Sequence, residues 1–119
     1  MENYKKEFGF PNQRYVKVNK KECSQKELYA KINIEAMNNA MRNLKPNAYK
    51  LWCYFAKNQD NYELWLSQLD VHEVTGMSES TYHRAFDELA NKQYLIPANS
   101  SGRYYKFYEI PQVQEQDFN

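Results

Sequence analysis

The sequence is poor in the residues that most enzyme active sites need. It has three glycines and two histidines in 119 residues, and no glycine-rich phosphate loop, nucleophile elbow or HExxH motif. His72 and His83 stand eleven residues apart, with no cysteine or histidine at metal-ligand spacing. The acidic residues are spread along the sequence at spacings that are typical of the exposed faces of helices. We therefore predict that the protein is not an enzyme and has no catalytic residues, metal, cofactor or small-molecule substrate.

Long apolar runs are also missing. The first ten residues, MENYKKEFGF, contain no apolar stretch of the kind that a signal peptide needs, and no run approaches membrane-spanning length. Cys23 and Cys53 form no CxxC pair, which argues against a disulfide framework and suits a reducing compartment. The sequence predicts a soluble cytoplasmic protein with no membrane partner.

The net charge is only +1, but it is unevenly distributed. Residues 1–31 carry eight basic and four acidic side chains, whereas residues 61–96 carry two basic and six acidic ones. Any anionic partner must therefore be bound by a few well-placed residues and the basic amino-terminal region. We divide the chain into a basic extension (1–31), one folded domain (32–110) and a polar tail (111–119).

Apolar spacing predicts helices in the first half of the chain. Ser24 can cap a helix that begins near Gln25, and Asn33 can cap a second helix. The apolar stripe of the second helix follows spacings of three and four: Ile34, Met37, Met41 and Leu44. Lys45-Pro46-Asn47 ends this helix, and residues 48–57 form the central core helix. The core side chains of that helix are Leu51, Trp52, Tyr54 and Phe55.

Residues 67–110 predict the order helix, turn, helix, strand, loop, strand. Ser67 caps the first of these helices, Gly76 ends it and Ser78 caps the next one. Val71 and Val74 face inward from the first helix. The buried stripe of the second comprises Tyr82, Ala85, Phe86 and Leu89.

Alternating patterns predict four short strands. Residues 15–18 and 62–66 alternate before the hairpin, whose own strands are expected over 94–97 and 103–110 with a tip at 98–102. The strand at 62–66 is expected to join the hairpin in a three-stranded sheet. In the return strand, Tyr105 and Phe107 share the core face.

The stretch MSESTYHRAFDEL (77–89), followed by KQYLI (92–96), resembles the recognition helix and first strand of the winged helix-turn-helix family. Together with KLWCYFAK (50–57) and LWLS (64–67), it also resembles small replication or regulatory proteins of phages and plasmids from Gram-positive bacteria. The resemblance covers roughly residues 35–110. It implies an α+β fold, with a three-helix core, a small antiparallel sheet and an N-terminal helical extension.

The resemblance also implies sequence-specific binding of double-stranded DNA, in transcription control or in replication or transfer initiation of a mobile element. In that role a helix enters the major groove and a hairpin lies beside it. The expected helix contacts are Ser78, Ser80, Thr81, His83 and Arg84. The expected hairpin contacts are Asn99, Ser100, Ser101, Arg103 and Lys106.

Other interpretations stay open for several of these features. Arg84 stands four residues before Glu88, which would equally suit a surface ion pair. The basic amino-terminal region is either a solvated surface or an arm on DNA. The acidic balance of residues 61–96 keeps a protein-interaction (adaptor or dimerisation) module as the alternative function. The N-terminal helices offer a surface for a homodimer.

Overall fold

The computed structural model describes residues 14–22, 30–58 and 66–112. These form an α+β arrangement of four helices and a two-stranded antiparallel sheet. The elements in chain order are α1 (Ile34–Asn43), α2 (Pro46–Ala56), α3 (Gln68–Thr75), α4 (Glu79–Asn91), β1 (Leu95–Pro97) and β2 (Tyr105–Phe107). Within the described residues, no helix is long and apolar enough to cross a membrane.

Three polar side chains fix the starts of helices, as the sequence predicts. The side-chain oxygen of Asn33 accepts from the N–H of Ala36 at 2.8 Å. Ser67 caps α3 and Ser78 caps α4 in the same way, each through an N–H three residues on. Such bonds satisfy donors that have no partner inside the helix. Pro46 occupies the first turn of α2, where its missing N–H costs nothing.

Helix α2 is the centre of the fold, which confirms the predicted core helix. It packs against the three other helices, and Leu51 and Trp52 have no exposed surface. The Trp52 indole N–H donates to the carbonyl of Glu109 at 3.1 Å, so the segment after β2 closes over this helix. Phe55 is half-buried, which makes it a smaller part of the core than the sequence suggests.

The hairpin is shorter than predicted. Leu95 pairs with Phe107 and Pro97 with Tyr105. Two further hydrogen bonds flank these strands, from the N–H of Ala98 to the carbonyl of Tyr104 and from the N–H of Tyr108 to the carbonyl of Tyr94. Tyr105 and Phe107 pack against the core, as their alternation predicts.

The sequence predicts the inward faces of two helices only in part. Met37 in α1 packs against the core and Leu44, directly after α1, is buried, both as expected. In α1 the buried residues are Ala36 and Ala40, whereas Ile34 and Met41 are 64% and 51% exposed. Small residues let α1 approach the core closely, which turns these two larger apolar side chains outward. In α3, Val71 is buried as expected, but Val74 lies outside.

Residues 14–22 have no regular secondary structure, and all of them are exposed. The prediction of a strand over 15–18 is therefore wrong. Several other predictions fall on residues outside the described ranges. These are the helix capped by Ser24, most of the strand at 62–66, most of the tail and the first thirteen residues.

A polar cluster ties the turn between α1 and α2 to α4. Glu88 accepts from the backbone N–H of Lys45 at 3.0 Å and from the Lys92 ammonium at 3.1 Å. Lys92 also donates to the carbonyl of Asn43 at 2.6 Å. Burial raises the pKa of Glu88, but these hydrogen bonds and the two positive charges outweigh burial, and the pKa is lowered.

Candidate nucleic-acid interface

The turn between α3 and α4 is held by a chain of local hydrogen bonds. Gly76 ends α3 in the left-handed conformation, with φ of 78°. The Thr75 hydroxyl accepts from the N–H of Met77 at 3.2 Å, and Nδ1 of His72 lies 3.0 Å from the Met77 carbonyl. Met77 itself is buried. The turn therefore fixes the direction in which α4 leaves it.

The exposed face of α4 is polar. Ser80, Arg84 and Asp87 follow spacings of four and three, so they lie on one side of the helix, opposite the buried Leu89. We call Ser80, His83, Arg84 and Asp87 the polar face. Arg84 forms no ion pair with a described residue, whereas Glu88 accepts from the Lys92 ammonium and from the Lys45 N–H. The alternative Arg84–Glu88 pair is therefore not formed, and the guanidinium is free to contact a ligand.

His83 lies on the side of the polar face that borders α3. Its Nε2 is 3.3 Å from Nε2 of Gln68 and 3.7 Å from a carboxylate oxygen of Glu79. The imidazole is exposed and already has polar neighbours from two helices. Both contacts are made by Nε2, so the Nδ1 of the exposed ring is the nitrogen that can bind a ligand without displacing either of them.

The start of α4 carries three hydroxyl groups with different surroundings. Ser78 accepts from the N–H of Thr81 at 3.3 Å and donates to the Thr81 hydroxyl at 3.0 Å. Thr81 is half-buried, whereas Ser80 is exposed. Ser78 and Thr81 thus serve first as the cap. Ser80 and the remaining N–H groups of the first turn face outward, where an anion is favoured.

The tip of the hairpin is closed by its own side chains. The Asn99 carboxamide oxygen accepts from the Ser101 N–H at 3.0 Å and from its hydroxyl at 2.6 Å. The Ser101 hydroxyl accepts from the N–H of Arg103 at 3.1 Å, and Gly102 has φ of 77°. Asn99 and Ser101 therefore shape the tip. Ser100 and Arg103 are exposed on it.

Lys106 lies on the outer face of β2, between the half-buried Tyr105 and Phe107. Helix α4 contacts the hairpin through side chains on the inner face of β2. The rings of Phe86 and Tyr105 meet at 5.0 Å with an angle of 89°, and Tyr82 packs on Phe86 in turn. Burial of Tyr82 raises the pKa of its phenol. The hairpin is thus fixed relative to α4.

The surroundings of the polar face are acidic. Asp70, Glu73, Glu79 and Asp87 are all exposed on α3 or α4. An open groove of about 500 Å³ separates the starts of these two helices, and the 68% exposed Leu69 lines it. The negative charge of the four acidic side chains weakens the attraction of this surface for a polyanion. Arg84 is the single strong cation on the outer face of α4.

In the described ranges no three His, Cys, Asp or Glu side chains lie close enough together to hold a metal ion. No protein-family model matches the chain, and no curated protein or solved structure is detectably similar to it. The residues missed at the sequence level are those of the Glu88 cluster. The spacing of four between Glu88 and Lys92 was visible, whereas the contact with the distant Lys45 backbone was not.

Proposed function

We propose that the protein is a winged helix-turn-helix protein that binds double-stranded DNA sequence-specifically. The observation that carries the proposal is the polar face of α4, opposite a buried stripe, with Arg84 at its centre forming no ion pair with any described residue. Support comes from the order of elements: α3, a tight glycine turn, α4 and an antiparallel hairpin. This order is compatible with a winged helix, in which the second helix enters the major groove.

In this function Arg84 reads a base. A guanidinium can donate two parallel hydrogen bonds to O6 and N7 of guanine, and the absence of an internal ion pair leaves both donors available. Ser80 and the first-turn N–H groups of α4 bind a phosphate beside it. Asp87, one turn further on, can accept from the amino group of cytosine and so add to discrimination.

The hairpin supplies contacts to the DNA backbone. Arg103 and Lys106 are exposed cations, and Ser100 offers a hydroxyl on the tip. Such groups suit phosphates better than base edges, so they attract every sequence alike. Because Phe86 and Tyr105 hold the hairpin against α4, both elements would approach one duplex together.

The biological setting follows from the resemblance of residues 35–110 to small phage and plasmid proteins. On that basis the bound DNA is a control or origin sequence of a mobile element. Binding there would serve transcription control, or replication or transfer initiation.

A protein-interaction module is the second candidate. The observation in its favour is the exposed acidic set on α3 and α4, next to a groove lined by Leu69. Such a surface suits a basic partner with an apolar side chain better than it suits phosphates. In that case Arg84 would be a solvated surface residue.

Fluorescence anisotropy separates the two candidates. Labelled duplexes from the DNA that flanks the gene are titrated with the full chain, with unrelated duplex and single-stranded DNA of equal length as controls. DNA binding requires that one flanking duplex binds at least about a thousandfold more tightly than unrelated duplex. Equal, weak binding to all three DNAs would favour the interaction module.

A further inference from the structure

The outer face of α1 is apolar and has no partner within the described residues. Ile34 and Met41 are 64% and 51% exposed, and they stand seven positions apart, which is about two helical turns. Asn38 lies between them on the same side of the helix. The buried side of α1 is made by Ala36 and Ala40, and Ile34 and Met41 lie outside the core that the described residues form. We call Ile34, Asn38 and Met41 the α1 face.

Two opposite charges border this face on the same side. Glu35 lies in the first turn of α1 and Arg42 in the last, again seven residues apart. Neither forms an ion pair with a described residue, and they are too far apart along the helix to pair with each other. When two copies are placed with their α1 helices antiparallel, the negative end of this surface on each copy therefore faces the positive end on the other.

We propose that the α1 face is the interface of a homodimer in which two α1 helices pack antiparallel across a two-fold axis. Ile34 of one copy then meets the partner's Met41, and Glu35 lies opposite the partner's Arg42. Symmetry makes each of these contacts twice. Asn38 lies close to the axis, where a polar residue in an apolar seam favours one register and orientation.

A shallow groove beside α1 strengthens the charge match. Glu35 and Glu109 line it, together with the half-exposed Ile110. No basic residue lines this groove. In the antiparallel arrangement the partner's Arg42 reaches the groove from the Glu35 side and meets two carboxylates. A basic side chain from a second copy is thus the occupant that the charges favour.

The contact is small, because one helix face and one groove contribute. Interfaces below about 1,200 Å² are those of weak or transient complexes, so we expect reversible dimerisation in the micromolar range. The dimer needs no DNA. A dimer would present two α4 helices to a symmetric DNA site, and this consequence rests on the proposed function.

Sedimentation equilibrium of the full chain tests the dimer without DNA, over about 10 to 500 µM. Wild type is expected to change from monomer to dimer in this range. Arg42→Glu and Glu35→Arg should each weaken the dimer about tenfold or more, because both symmetric pairs become like-charge contacts. The combined variant Glu35→Arg with Arg42→Glu should restore it. Arg103→Glu and Glu73→Arg are the matched charge controls and should leave it unchanged.

Charge reversal at the ends of α1 also opposes the helix dipole, so circular dichroism melts check that each variant is folded. Met41→Gln provides a test without a charge change, and it should weaken the dimer by removing the apolar contact. A wild-type chain that stays monomeric throughout the range overturns the proposal. So does a dimer that is insensitive to Met41→Gln and to both reversals. Neither result bears on whether the monomer binds DNA.

Discussion

The ring of Phe86 on α4 meets the ring of Tyr105 on β2 edge to face, with centroids 5.0 Å apart and planes at 89°. Edge-to-face packing is a favoured geometry because the positive edge of one ring contacts the negative face of the other. This pair joins the two elements to which we assign DNA contacts. The position of the hairpin relative to α4 therefore depends on it.

The Phe86–Tyr105 contact should be measurable as a coupling energy. We expect Phe86→Leu and Tyr105→Leu each to lower the free energy of unfolding, and the double variant to lose less than the sum of the two. The expected coupling is about 0.5–1.5 kcal/mol. Urea denaturation of the four proteins gives the value. Strict additivity would mean that the two rings do not stabilise each other.

Glu88 should make stability depend on pH. Its pKa is lowered in the folded protein, so its contribution is complete above the pKa of a glutamate in the unfolded chain and is lost as the pH falls through the folded-state pKa. Glu88→Gln should cost about 1 kcal/mol at neutral pH, since it weakens the bonds to Lys45 and Lys92.

The cost of Glu88→Gln should shrink between neutral pH and a pH below the folded-state pKa of Glu88, where the wild-type carboxylate itself becomes protonated. Urea unfolding of both proteins at the two pH values measures the change. Glu73→Gln on the exposed surface of α3 is the control and should stay close to wild type throughout. A cost of Glu88→Gln that is equal at both pH values would contradict the proposed role of the charge.

Gln93 lies in the left-handed region, with φ of 73°. A residue with a Cβ pays strain there that glycine avoids. We expect Gln93→Gly to be neutral or to stabilise the protein by up to about 1 kcal/mol, and Gln93→Val to destabilise it by at least that amount. The midpoints of urea denaturation give the order of stability of wild type and the two variants. A Gln93→Val protein as stable as Gln93→Gly would show that the backbone relaxes freely at this position.

Local signals in the sequence predicted the local structure well. Asn33, Ser67 and Ser78 cap helices and Gly76 ends one, because each interaction involves residues three or four positions apart. The inward face of α1 was predicted only in part, since Met37 and Leu44 pack inward as expected but Ile34 and Met41 do not. Periodicity points to its largest apolar residues, whereas the close approach to the core selects Ala36 and Ala40.

In the candidate site, too, some features follow from the local sequence and others depend on how distant parts of the chain pack. The outward positions of Ser80 and Arg84 follow from helix periodicity and were predicted. The hydrogen bond from the distant Lys45 N–H to Glu88 depends on how α4 packs against the turn after α1. The closing of the hairpin tip by Asn99 and Ser101 depends on backbone conformation, which the residue types alone do not specify.

The affinity of Arg84 variants for a cognate duplex tests the central claim most directly. Arg84→Ala should weaken specific binding by about 1–3 kcal/mol, or roughly 5- to 150-fold, with an unchanged melting temperature. Arg84→Lys should retain binding to unrelated duplex but lose discrimination, since an ammonium cannot form the two parallel bonds. Lys57→Ala, at the end of α2, removes an equal charge elsewhere and should bind as wild type does. A folded Arg84→Ala protein that binds the cognate duplex as tightly as wild type would contradict the account.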